Sequence, residues 1–376
     1  MIKLPIYLKL SVVTIGLFIF FYILFLGQDI LIPITFSWIL AILLNPIVNF
    51  FTRHKINNIV AIGLAILLMI VVIGGVLIFI GSQVSMFSES LPQLKLKFDE
   101  LMQHGLSWVS ETFNIAVPKV NKWIAEKKAN GLQGAEGMIG TTVGTVSGAV
   151  VNLLLIPVYI FLFLFYKPLL LDFIAKLFSK DKHSVVGEVL SQVKVLIQNY
   201  LVGLLIEMAI VAAMNSAALL LIGIKYAILL GVIGAILNLI PYIGGLVAIA
   251  LPMIMGIITD NPMSALYVLI AYIIIQIIDN NFLVPKIVAS KVKVNALISI
   301  IVVLIGGALW GVAGMFLSIP LTAIVKVIFD RVESLSAFGF LIGDTMPEIG
   351  QSIFKFSGRK NPTIKDSKKN KMILKD

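Results

Sequence analysis

The chain has 376 residues, 59% of them hydrophobic and only 13% charged, with a formal net charge of +10 and no cysteine. Its charged residues are clustered rather than dispersed, which excludes a soluble globular protein and describes an all-α polytopic membrane protein. The basic excess lies in loops beside apolar runs, where lysines set orientation and touch anionic lipid; without an aromatic-basic surface it gives no ground for nucleic-acid binding, and the missing cysteines exclude thiolate metal sites and disulfides.

Apolar runs occupy 6–26, 30–51, 57–82, 140–166, 196–222, 226–258, 264–285 and 296–324, each long enough to reach across a bilayer. Lys3 and Lys9 precede the first, which is too long for a signal-peptide core and is retained as a span. Arg53, His54 and Lys55 follow the second, so the ends of this hairpin are expected in the cytoplasm, and Asn45–Pro46 is read as the end of span two. Residues 1–82 thus form a three-span scaffold. Gln83 to Ile139 holds six lysines and six acids, with Leu91, Leu94, Phe98, Leu101, Leu106 and Val109 near helical spacing, and reads as a small helical domain outside the membrane. Gly140, Gly144 and Gly148 open span four at a spacing that lets helix backbones approach, within one subunit or between subunits. Between Lys167 and Lys194, an apolar stripe of Val185, Val186, Val189, Leu190 and Val193 predicts a helix on the cytoplasmic membrane surface, which completes a unit of 140–195.

The run 226–258 contains Asn238-Leu-Ile-Pro-Tyr-Ile-Gly-Gly245. Pro241 removes a backbone donor and Gly244–Gly245 loosen the next turn. A straight helix of this run would measure about 50 Å against a hydrocarbon core of about 30 Å. The run is therefore read as two half-helices that enter and return, and 296–324, broken at Gly306-Gly307-Ala-Leu-Trp-Gly311, is read the same way. That arrangement puts Lys225 outside and Lys291 inside, and places 22 of the 29 Lys and Arg residues in the cytoplasm. The expectation is six full spans plus two re-entrant hairpins, the alternative being eight plain spans, with a transport core at 196–330 and a basic cytoplasmic tail at 331–376. From Ser357 onward the tail has a disordered composition.

Such breaks at membrane depth are tolerated where they line a wet cavity, so Asn238, Pro241, Tyr242, Gly244 and Gly245, with Gly306, Gly307 and Gly311, are candidate pathway residues. Chance matching of glycines is the competing reading of the two Ile-Gly-Gly segments, 243–245 and 305–307. Only two acids fall inside spans, Glu207 and Asp279, and a charge there is costly unless it is partnered or wet. Gln276, Asp279 and Asn280 share a helical face, with Asn199 and Asn215 available near Glu207. These form the coupling candidates Glu207, Asp279, Gln276 and Asn280. Against that stand two bland readings: a cap or interfacial end at Asp279, and a protonated structural glutamic acid at Glu207. No P-loop, HExxH or GxSxG occurs and all three histidines lie outside the runs, so the residues for ATP-driven pumping or for serine or zinc hydrolysis are lacking, and no cofactor or metal is expected.

Leu44-Asn45-Pro46, NLIPYIGG (238–245), IIDNNFLVPKI (277–287) and IGGALWGVAGMFLSIPLTAIVK (305–326), in this order over nearly the whole chain, resemble the autoinducer-2 exporter family of bacterial transporters. The resemblance implies a homo-oligomeric, pentameric carrier of the inner membrane without ATPase, exporting a small polar solute such as autoinducer-2 or exchanging sodium for protons. Where the resembled pattern has Gly-Gln, this chain has Gly203-Leu204 and then Glu207, an acid better suited to a cation or proton than to a neutral diol. A gated channel using the same broken helices is the competing class.

Overall fold

The computed structural model describes residues 5–113, 154–240, 244–258, 261, 263–289 and 292–345, and every regular element among them is helical. Five helices are long and apolar enough to cross a membrane, or six when a bent pair at 154–176 is counted as one span.

Helix α1 (Ile6–Leu26) leads through Gly27 into α2 (Gln28–Arg53), which runs on through Pro33 and Pro46. The expected end at Asn45–Pro46 is therefore corrected. A helical proline leaves the carbonyl four residues back without its donor, and here that group, the Ile42 carbonyl, accepts from Gln198 Nε2 at 2.7 Å. The buried Asn45 takes Lys167 Nζ on its Oδ1 at 3.0 Å. Two tertiary contacts thus carry the helix past a local stop signal.

Helix α3 (Asn58–Phe113) is unbroken over 56 residues. At 1.5 Å per residue it is about 84 Å long, far beyond a hydrocarbon core of about 30 Å. Residues 83–113 of the expected outer domain are the continuation of α3; residues 114–139 lie outside the described residues, as do Gly140, Gly144 and Gly148. Helix α4 (154–165) bends by 61° into α5 (Lys167–Lys176). Ala61 and Ala65 of α3 are fully buried against Ala41 and Leu44 of α2 and Ile160 of α4, small residues that let these backbones close on one another.

After a short turn, α6 (His183–Ile222) extends for 40 residues. The valine stripe 185–193 forms its first turns, and at their end Val193 and the adjoining Ile197 bury against Ile39 and Leu317. Gly223, at φ +83°, ends α6 in the left-handed conformation that glycine favours.

Helix α7 (Ala227–Asn238) turns back along α6, bringing Gly231 so close to Ser216 that a Cβ would sit 2.6 Å from its backbone nitrogen. Helix α8 (Gly244–Ile258) returns along α7, and α9 (Met263–Ile278) packs on α8 where Gly256 meets Ala265. Helix α9 continues as a π-helical stretch, Asp279–Ala289, which descends beside α6; a Cβ on Gly203 would come within 2.7 Å of the Ile287 carbonyl oxygen. A straight helix over 226–258 is thus absent.

Helix α10 (Ala296–Phe329) also doubles back, at Trp310 (φ −131°, ψ 19°) and Gly311 (φ 58°, ψ −140°). Gly306 lies against Gly314 and Ser318, whereas eight residues of straight helix would separate Gly306 from Gly314 by about 12 Å. Asn295 caps α10 by accepting from Ile298 N at 3.0 Å, and its Nδ2 donates to the Ile342 and Gly343 carbonyls at 3.1 and 2.9 Å, so both ends of α10 lie at the same end of the bundle. Arg331 pairs with Glu188 of α6 at that end. At the other, Trp310 Nε1 donates to the Leu24 carbonyl of α1 at 2.9 Å. Helix α11 (Ser336–Ile342) follows.

The Gly311 conformation is open to glycine and costly for other residues. Gly311→Ala should therefore cost about 1–3 kcal/mol, read as a lower thermal unfolding midpoint in detergent. Gly16→Ala, with nothing within 4 Å of its added Cβ, should leave the midpoint in place. Equal midpoints in the two variants would remove the case for a glycine-dependent turn.

Candidate functional site

Two breaks in regular structure converge at the level of Glu207, the middle of α6. The end of α7 supplies Asn238, the start of α8 supplies Gly245, and the junction of α9 with its π-helical stretch supplies Gln276, Asp279 and Asn280. A wider helical turn at that junction swings Asp279 inward, and π-helical segments often sit where a side chain is re-aimed for function.

Together with Glu207 these residues line a cavity of about 730 Å³, within the range of small-molecule sites. Most of the remaining wall is apolar, including Leu204, Ile249 and Val288, so the polar groups are few and convergent. Asn238 Nδ2 donates to Asp279 Oδ2 at 2.8 Å, and Gln276 Nε2 donates to Asn280 Oδ1 at 3.4 Å. Asp279 is 1% exposed and Glu207 6%, and both line the cavity. Asp279 bonds a side chain of another helix, so the reading of it as a helix cap does not describe its contact.

Gly245 opens the site. A Cβ there would lie 2.6 Å from Gln276 Oε1 and 3.3 Å from Asn238 Oδ1, in the space that those amides share. Gly244 is helical rather than at positive φ, and it is small because α7 presses on it: a Cβ would collide with the Leu237 carbonyl and lie 2.9 Å from Asn238 Cα. Pro241 and Tyr242 lie outside the described residues. Gly306, Gly307 and Gly311 are not on the cavity wall; the first two are packed on Gly314, Ser318 and Met315 across the α10 fold-back, and the third makes its turn. Asn199 faces outward, whereas Asn215, two turns beyond Glu207, is buried.

Tyr200, Tyr272 and Ser299 also reach the cavity and were not among the sequence candidates. For Tyr272 the signal was there: positions 272, 276 and 279 recur at helical spacing on one face. Tyr200 stands seven residues before Glu207 on the same face of α6. Ser299 carries no such signal, because only the fold-back of α10 brings its first turn to the site.

The chain matches the model of the AI-2E family transporter over residues 12–334. It is similar to YueF of Bacillus subtilis (strain 168), 27% identical over 320 residues that cover 81% of this chain and 84% of that protein. It is 22% identical to the AI-2 transport protein TqsA of Escherichia coli (strain K12) over 324 residues, 86% of this chain and 92% of the relative. With PerM of the same strain it shares 27% identity over 191 residues, half of this chain and 54% of PerM. A match spanning most of the sequence, joined to several apolar helices that fold back around a largely apolar cavity with a few convergent polar groups, leads to one conclusion: this chain is a membrane protein that belongs to the AI-2E transporter family.

Proposed function

We propose that the protein is a secondary carrier of the bacterial inner membrane that moves a small polar solute through the cavity between α6, the α7–α8 hairpin and α9. The observation that carries this reading is the cavity itself: about 730 Å³, largely apolar, with two carboxyl groups and three amides converging beside broken helices. Half-helices that meet at mid-depth recur in carriers because their freed backbone groups and small residues can meet a solute without facing lipid. A solute of the class that TqsA is named for, AI-2, is small enough for such a space. The wall also offers Asn238, Gln276 and Asn280 as hydrogen-bonding partners for hydroxyl groups.

In this reading Glu207 and Asp279 couple movement of the solute to a proton or cation gradient, since two neighbouring carboxyl groups under-solvated by protein change charge cheaply only when a cation accompanies them. Glu207→Gln keeps shape and hydrogen bonding but cannot exchange a proton. It is expected to leave the protein folded and to remove the dependence of flux on an imposed pH or sodium gradient. Flux of candidate solutes into proteoliposomes, with and without those gradients, tests both statements. Saturable counter-flow supports the carrier, voltage-driven single-channel currents would replace it with a channel, and an unchanged gradient dependence in Glu207→Gln would make that acid structural.

The chain reversals between α7 and α8 and at Trp310–Gly311 support the reading of six spans with two re-entrant hairpins, and the clustering of lysines in alternate loops supports cytoplasmic termini. Single cysteines suit this chain, which has none. A cysteine at Lys225 should react with an impermeant reagent from outside, and one at Lys293 only after the membrane is opened; external labelling at 293 would sink the topology. The apolar, exposed faces of α1 and the first half of α3 meet lipid or neighbouring copies, and native mass spectrometry would test the pentamer that the family resemblance implies.

A further inference from the structure

Behind the large cavity lies a second void of about 10 Å³, reached by Asn215, Asn238, Tyr272, Gln276 and Asp279 but not by Glu207. That is about the space of one water molecule or one bare ion. Three oxygen atoms of its lining residues, Asn215 Oδ1, Tyr272 Oη and Asp279 Oδ1, have no hydrogen-bond partner, and their residues are only 3%, 6% and 1% exposed. Buried oxygens without partners are rare, because each has left water without compensation. Gly234 keeps the approach clear: a Cβ there would sit 3.1 Å from Tyr272 Oη and 3.3 Å from Asn215 Nδ2.

We infer that Asn215, Tyr272 and Asp279 hold one dehydrated monovalent cation of about sodium's size. The donors are all oxygen, with neither imidazole nor thiolate among them, which selects a hard ion over a transition metal. A single carboxylate serves this void, and its other oxygen is already bonded to Asn238, so the site offers one unit of negative charge, which balances a monovalent cation and leaves a divalent one uncompensated. No ion pair to Asp279 occurs among the described residues, and a bound cation supplies the countercharge that burial demands. The competing occupant is a water molecule, which can donate to Asn215 and Asp279 and accept from Tyr272. In the carrier proposed above this ion is the coupling ion, but its binding is measurable without transport.

The test is calorimetric titration of sodium chloride into the detergent-purified full chain, against choline chloride at equal ionic strength. Saturable binding of one sodium per chain is expected. Asn215→Leu and Asp279→Asn should abolish it, and Tyr272→Phe should weaken it about tenfold, as for a lost contact to a charged group. Gly234→Ala removes no oxygen yet crowds Tyr272 Oη and the Asn215 amide group, and should also block binding while the gel-filtration profile stays that of the native protein. Absence of saturable sodium heat in the folded protein overturns the inference and leaves water in the void; so does sodium binding that survives both Asn215→Leu and Gly234→Ala. Sodium binding without solute flux would support this site while counting against the carrier, and flux without sodium binding would do the reverse.

Discussion

Asp279→Asn is expected to lower solute flux in proteoliposomes about ten- to a hundredfold, about 1.4–2.8 kcal/mol, by removing a buried charge while keeping the hydrogen bond to Asn238. Gel filtration and helical content should stay native, because asparagine matches aspartate in volume and can still meet Asn238. The reason for so large an effect is placement. Asp279 is 1% exposed, holds Asn238 of the α7–α8 hairpin at 2.8 Å, and keeps its second oxygen free at the inner end of the cavity. If Asp279 in Asp-Asn-Asn before Pro285 were only a cap, the opposite ranking would hold, with Glu207 dominant and Asp279 minor. The tertiary contact reverses it: Asp279 joins two of the three elements around the site, while Glu207 stands on one. Full flux in Asp279→Asn would return Asp279 to a structural role and leave Glu207 as the sole coupling candidate.

Gly244→Val should bring flux below about a tenth of the native value while the protein still inserts in the membrane, since overpacking of this kind costs about 1–3 kcal/mol or more. The added side chain meets backbone on every near side: the Leu237 carbonyl oxygen and carbon, and Asn238 Cα. Backbone cannot rotate out of the way as a side-chain end can, so the hairpin must open at its tip. Asn238 then moves from Asp279, and the cavity loses one wall. Gly245→Ala should do less harm to the fold, because the nearest atom to its Cβ is the end of the Gln276 side chain, but it should compete with solute for that space. Native flux in Gly244→Val would show that the tip need not close for transport.

Which parts of this protein can be read locally follows from what each signal depends on. Membrane residence, the helical class, the interruption of the runs 226–258 and 296–324 and the position of Glu207 and Asp279 inside apolar runs were all legible in the sequence. Hydrocarbon excludes unpaired backbone and isolated charge so strongly that runs of apolar residues, glycines within them and two lone acids are informative without any partner being known. Partnership was not legible. Pro46 reads as a stop until Gln198, 156 residues away, takes the Ile42 carbonyl. Gly306 reads as a solute contact until the fold-back sets it against Gly314 and Ser318. Tyr272, Asn215 and Asn238 reach Asp279 or the void beside it only because α7 turns back on α6 and α9 runs beside both. Which face of a helix is buried, and against what, is decided by contacts between segments far apart in the chain, and in an all-apolar helix the local pattern hardly distinguishes the face that meets lipid from the face that meets protein.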